Sequence, residues 1–258
     1  MSEEHILQTA DKVTIRKKKI IIKPKIKEVV VSEKISIELY EETISKILSI
    51  TKCISFQKDD IDGRIDSAIK ESPFLEEVKK QLLGYNSNWS VMISPARASC
   101  DIMVNTIRIN LKLTDCKSAD NSVNKPSIYY SITGLTDYPY ASTWNVFRDK
   151  LIAAKKITNC KKIREKATEY HYLVKNKITG EVLLKPIFDI HTYVSNPSND
   201  LQINWKKEFQ YIDYRLEDTE YSTKVKELLS CLQTSAKAMI ERTKQFAEEN
   251  IEDLFSLE

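Results

Sequence analysis

An acid, an amide and an amine lie along one short stretch, DIMVNTIRINLKL, from Asp101 to Leu113. If Asn105 and Thr106 form a two-residue hairpin turn, a setting Asn favours because it tolerates positive φ, Val104 faces Ile107 and, counting outward, Asp101 faces Asn110. Side chains alternate between the faces of a strand, and cross-strand partners share a face. One face then carries Asp101, Met103, Arg108, Asn110 and Lys112, while the other carries Ile102, Val104, Ile107, Ile109, Leu111 and Leu113, all apolar. The polar face gathers a metal-binding carboxylate with groups able to handle charge and protons. A purely structural hairpin with one wet face has the same periodicity, so spacing alone leaves both readings open. Thr106 is also less suited to positive φ than glycine, which leaves room for a longer turn and a shifted register.

Upstream of the hairpin, Ile37, Tyr40, Ile44, Ile47 and Leu48 recur at helical spacing between Glu38, Glu41, Glu42 and Lys46, predicting an amphipathic helix over 37–50. Ser72 and Pro73 have the form of a helix cap and first position; FLEEVKKQLL continues the pattern and Gly84 stops it. Between these helices DDIDGRID invites a calcium-loop reading, which fails because the first ligand position holds Lys58 and the twelfth Ile69. Strand-like sequence runs from Trp89 to Leu113, broken by SPARAS, and the polar TDCKSADNSVNKPS and a candidate helix, IYYSITGL, follow. Residues 170–190 alternate around a turn at Thr179-Gly180, predicting a hairpin. Val225, Leu228, Leu229, Leu232, Ala236, Met239, Ile240 and Phe246 fall on one face of a long helix, or two, between Ser222 and Leu254. At the start, VTIRKKKIIIKPKIKEVVV reads as lysine-protected edge strands or as a basic arm. No internal repeat is visible, and the order of elements predicts a mixed α/β or α+β domain with helices at both ends.

Composition removes several function classes. The 258 residues include only four glycines, Gly63, Gly84, Gly134 and Gly180, too scattered for a phosphate-cradling loop or a dinucleotide fingerprint. Cys53, Cys100, Cys116, Cys160 and Cys231 never stand as CxxC, which argues for reduced packed thiols over a disulfide framework or a structural zinc. With 40 basic and 37 acidic residues, the net charge of +3 gives only mild attraction to polyanions, so charge placement has to carry any nucleic-acid argument. No apolar run is long enough to span a bilayer and the first residues lack a signal layout, so a soluble cytoplasmic protein is expected. His191, in the apolar FDIHTY, reads as a packed histidine, and a Ser/His/Asp hydrolase lacks its glycine-bounded nucleophile turn.

Asp101 followed by Asn110-Leu111-Lys112, with the proline of SPARASCD ahead of the acid, resembles the PD-(D/E)xK nuclease superfamily, in which an acid on one strand precedes an acid-x-Lys triplet on the next. The sequence departs from that pattern at Asn110, where Asp or Glu is usual; restriction enzymes with Asn-x-Lys occur in the superfamily. NLKLTDCKSADNSVNKPSIYYSITG and KPIFDIHTYVSNPSNDLQINWKKEF look like type II restriction endonucleases in particular, leaving residues 1–85 without a counterpart.

The resemblance implies a restriction-endonuclease-like core, a central mixed β-sheet flanked by helices with a long C-terminal helix, in one domain. Within 1–258, residues 1–85 would supply N-terminal strands and helices, 86–155 the catalytic core, and 156–258 recognition and dimerisation. It further implies Mg²⁺-dependent hydrolysis of double-stranded DNA at a specific short sequence, by a homodimer partnered in its host by a methyltransferase. Asp101 would be the central metal ligand and the Leu111 main-chain carbonyl a second. Lys112 would orient the attacking water, and Glu41 or Glu42 is a candidate further ligand or relay. Asn110 in place of an acid removes a charge, so weaker metal binding without DNA is expected. Arg97, Lys117, Ser118, Asp120, Asn121 and Lys125 flank the site as candidate DNA contacts. Asn196, Asn199, Gln202, Asn204, Trp205, Lys206 and Lys207 form a second cluster whose amides suit adenine. A repair or structure-selective nuclease, or a non-catalytic DNA-binding protein, are the competing readings.

Overall fold

The computed structural model describes residues 35–55, 63–95, 98–117, 119–139, 142–157, 170–198, 200–211 and 218–248. The lysine-rich stretch at 13–31, Arg97, Ser118, Asn199 and the chain beyond Glu248 lie outside them.

Helix α1 (Ile37–Cys53) starts at Ser36, whose hydroxyl accepts the Leu39 N–H at 3.2 Å. It runs past the expected end at Ile50 because its last carbonyls find a donor from far along the chain. The Lys175 ammonium bonds the carbonyl oxygens of Thr51 at 2.8 Å and Lys52 at 3.4 Å. Helix α2 (Gly63–Tyr85) begins well before the predicted Ser72-Pro73 cap and carries Pro73 inside it. Proline costs one backbone hydrogen bond in a helix interior, and tertiary contacts on both sides of it offset that loss. After it, Phe74, Leu75, Val78 and Leu82 are buried. Before it, Asp66 pairs with Lys177 at 2.6 Å and the Ser67 hydroxyl donates to the Leu113 carbonyl at 2.8 Å.

The five-stranded sheet has the order β1-β2-β3-β5-β6, formed by β1 (Val91–Ile93), β2 (Ile102–Val104), β3 (Ile107–Thr114), β5 (Tyr170–Asn176) and β6 (Val182–Pro186). Strands β1, β2 and β3 are an antiparallel meander, β5 joins β3 in parallel, and β6 returns antiparallel as the predicted hairpin. Parallel neighbours require a crossover, which here holds β4 (Asp120–Val123), α3 (Lys125–Thr133) and α4 (Trp144–Ile157). Helix α3 is capped at both ends: Asn124 and Ser127 form a reciprocal capping box, and Gly134 closes the helix at φ 70°.

Strand β4 lies hidden within the polar TDCKSADNSVNKPS segment. It pairs with β8 (Leu201–Ile203), which pairs with β7 (Tyr193–Ser195), in a three-stranded sheet that only the folded chain assembles. The short α5 (Trp205–Glu208) follows, and α6 (Asp218–Glu248) is the predicted long helix as one piece.

The chain is thus a mixed α+β protein with a five-stranded mixed sheet flanked by helices and a C-terminal helix. One face of the sheet packs Ile107, Ile109, Leu111 and Leu173 against α1 and α2. The other packs Tyr170, Tyr172 and Val174 against α3, α4, α6 and the small sheet. Among the described residues no helix is long and apolar enough to cross a membrane.

Candidate functional site

The β2–β3 turn has the predicted two-residue form, with Asn105 at φ 46° and Thr106 at φ 74°. Both lie in the left-handed region that such a hairpin demands. Asn105 is held there by its side chain, whose oxygen accepts the Ser90 N–H at 3.0 Å and whose amide donates to the Thr43 hydroxyl at 3.1 Å. The register is Val104 to Ile107, Met103 to Arg108 and Ile102 to Ile109. The apolar set is buried and Met103, Arg108, Asn110 and Lys112 are partly exposed, so the pleat sorts the side chains as their types require.

At Asp101 the ladder departs from simple counting. Its N–H bonds the Ile109 carbonyl at 2.9 Å, the residue that Ile102 already opposes, so two residues of one strand meet one of the other as in a β-bulge. Its carboxylate accepts the Leu111 N–H at 2.7 Å. Asp101 therefore brackets Asn110, and its carboxylate lies along the β3 edge where β2 has ended. The N–H and C=O of a strand residue leave by the same edge, so the Leu111 carbonyl is directed to the edge that Asp101 occupies.

Helix α2 brings a further acid to this edge. Ser67 bonds the Leu113 carbonyl, and Glu71, one turn on and on the same helix face, stands in electrostatic reach of Asp101 and Lys112. The further ligand was expected at Glu41 or Glu42 on α1. Both are exposed, and Glu42 bonds the Tyr85 hydroxyl at 2.8 Å, at the opposite end of α2 from Glu71. Glu71 escaped sequence reading because a helix starting at Ser72 excludes it; only the extension of α2 back to Gly63 gives it a face.

The electrostatics follow from this crowding. Burial pushes the Asp101 carboxyl above the usual carboxylate range, opposed by the Leu111 N–H and the Lys112 ammonium. Burial first, and then the Asp101 charge, push Glu71 up as well, with Lys112 opposing. Asn110 turns its amide to the Tyr170 hydroxyl, and its Oδ1 is buried with no hydrogen-bond partner. Two carboxylates and a main-chain carbonyl are an all-oxygen set that suits a hard cation such as Mg²⁺. The orphaned Asn110 oxygen is a spare acceptor for a bound water, and the residues present fit the ion. Among the described residues no group of three or more His, Cys, Asp or Glu forms a metal cluster.

The candidate DNA contacts separate on folding. Lys117, after β3, and Lys206, on α5, come to the rim of one cavity of about 540 Å³ at the carboxyl ends of β3 and β5. Lys117 pairs there with Asp115 at 3.0 Å. Lys125 instead lies largely buried, paired with Asp200 at 2.6 Å and 4.0 Å over the Trp144 ring, where it ties α3 to the β7–β8 turn. Backbone pairing sets Asp120 opposite Ile203 and Asn121 opposite Gln202, with Val194 beyond. Asn204 caps α5 by accepting the Lys207 N–H at 3.1 Å, so its oxygen is committed to the backbone. Asn196 accepts the Ser198 N–H in a turn, Trp205 is buried, and Lys206 and Lys207 face solvent. His191 is stacked on Tyr211 with centroids 4.6 Å apart, a packed histidine whose basicity burial lowers. No family model and no curated protein matches the chain.

Proposed function

We propose that the chain is a Mg²⁺-dependent endonuclease of the type II restriction kind, on a restriction-endonuclease-like core, hydrolysing phosphodiester bonds of double-stranded DNA at a specific short sequence. The observation that carries this reading is the Asp101 carboxylate bonded to the Leu111 N–H at the β3 edge left open where β2 ends, with Glu71 and Lys112 in electrostatic reach of it. Asp101, Glu71 and the Leu111 carbonyl would hold the ion. When bound, Mg²⁺ supplies charge neutralisation at the phosphate and a more acidic water. Lys112, already in electrostatic reach of both acids, orients the attacking water and offsets the negative charge that develops on the phosphoryl oxygens.

Asn110 contributes no charge. Without it the site carries two carboxylates against one ammonium, so it relies on the DNA phosphate to complete cation binding. Lys117 and Lys206, which line one cavity at the carboxyl ends of β3 and β5, would take flanking phosphates. A palindromic site cut on both strands calls for two such centres about a two-fold axis, hence a homodimer acting alongside a host methyltransferase.

The test is digestion of DNA of known sequence with Mg²⁺, followed by end mapping. Discrete fragments that vanish in Asp101→Ala and Lys112→Ala are the expected result. Unfixed cut positions point to a repair or structure-selective nuclease, and cleavage that survives both substitutions overturns the reading.

A further inference from the structure

Asp101 stands just outside regular structure: β2 begins at Ile102, and Cys100 before it belongs to a non-repetitive loop. Glu71, on α2, stands in electrostatic reach of Asp101. Glu71 rides on a helix, whereas Asp101 ends a loop, with its N–H bonded to the Ile109 carbonyl at 2.9 Å and its carbonyl accepting the Ser94 N–H at 2.8 Å.

Ser99, two residues upstream, is held at both of its oxygens. Its carbonyl accepts the Tyr170 hydroxyl, and its hydroxyl accepts from Arg108 Nη1 at 3.3 Å. The Arg108 guanidinium in turn lies over the Tyr130 ring of α3, 4.5 Å from the centroid. Tyr170 opens β5 directly opposite Arg108 in the parallel register, and its hydroxyl also meets the Asn110 amide. The Tyr170 ring is only 1% exposed, and a phenylalanine would fill the same space. Burying the hydroxyl is costly unless it is bonded, and its bonds go to the Asp101 loop and to Asn110.

We propose that Tyr170 and Arg108 form a brace that fixes Ser99, and through it holds Asp101 against Glu71 at the separation a divalent cation requires. Neither group touches the reacting atoms; both are positioning residues, and the inference rests on the metal site proposed above. The brace runs from the crossover helix α3 and the parallel strand β5, across β3, to the loop before β2. It thereby adds a second hold, from the loop side, to the backbone bonds that Asp101 makes with Ile109 and Ser94.

The test is calorimetric titration of Mn²⁺ into the full chain, comparing the unsubstituted protein, Asp101→Asn, Tyr170→Phe and Arg108→Gln, with a thermal melt of each. Expected are Mn²⁺ binding lost in Asp101→Asn and weakened about three- to tenfold in Tyr170→Phe, the effect of one hydrogen bond. A folded Tyr170→Phe with unchanged Mn²⁺ affinity overturns the brace, even if its melting temperature falls, because a purely structural role would move only stability. If Tyr170→Phe does not fold, Arg108→Gln removes the other arm, and unchanged affinity there overturns it equally. Binding that persists undiminished in Asp101→Asn overturns the metal site itself, and the brace with it.

Discussion

At the scale of the residue, the two acids are in conflict with the fold that carries them. Both are pushed above the usual carboxylate range, so the folded chain binds their protons more readily than the unfolded chain. For an acid whose pKa folding raises, stability is lost as pH climbs from the unfolded to the folded value, and it stays lost above. Asp101→Asn and Glu71→Gln are therefore expected to raise the melting temperature at neutral pH without metal, by about 2–4 °C for each ~1 kcal/mol recovered. The gain should shrink on acidification, as the native carboxyls take up protons; a gain that is constant with pH would contradict the charge origin. Cation binding has the opposite dependence, because it needs both groups ionised and so falls off on acidification sooner than for ordinary carboxylates. Asn110→Asp adds a carboxylate at the same edge. It is expected to tighten Mn²⁺ binding in the absence of DNA, read by the same calorimetric titration, at some cost in stability.

At the scale of the element, the hairpin and the small sheet depend on different things. The β2–β3 turn holds a β-branched residue, Thr106, at φ 74°. Left-handed backbone costs a non-glycine residue roughly 1–2 kcal/mol, so Thr106→Gly should stabilise the chain by about 1 kcal/mol in urea denaturation, net of the glycine's extra unfolded-state entropy. Helix α5, which follows the small sheet, meets β6 of the large sheet through a buried pair, Lys185 with Glu208 at 2.9 Å, whose side chains are 3% and 0% exposed. Glu208 also accepts the His191 N–H at 3.1 Å and the Thr192 hydroxyl at 3.0 Å. Removing its charge leaves an ammonium buried without a counter-ion, which typically costs about 3–5 kcal/mol. Glu208→Gln should therefore destabilise far more than the surface substitution Glu227→Gln, measured by the same denaturation.

At the scale of the whole molecule, the proposed function makes the oligomeric state measurable. Light scattering after size-exclusion chromatography is expected to give twice the chain mass for the free protein and two chains plus the duplex on DNA, and a single chain in both conditions would remove the two-fold from the proposal. The sequence by itself determined the hairpin, its turn, its two faces and the helical stripes. Each of these is written in periodicities of 2 and 3.6 residues and in turn chemistry that neighbouring residues decide among themselves. It also shows that no glycine-rich loop is present, since its four glycines stand scattered along the chain. Only the tertiary structure decided where α2 begins, because its first turns are held by Lys177 and the Leu113 carbonyl rather than by a local cap. For the same reason it alone brought Glu71 into electrostatic reach of Asp101 and Lys112, committed Lys125 to Asp200, and joined β4 to β8. These are pairings between residues far apart along the chain, whose partners are selected by the packing of the sheet against its helices, and no local pattern records that choice.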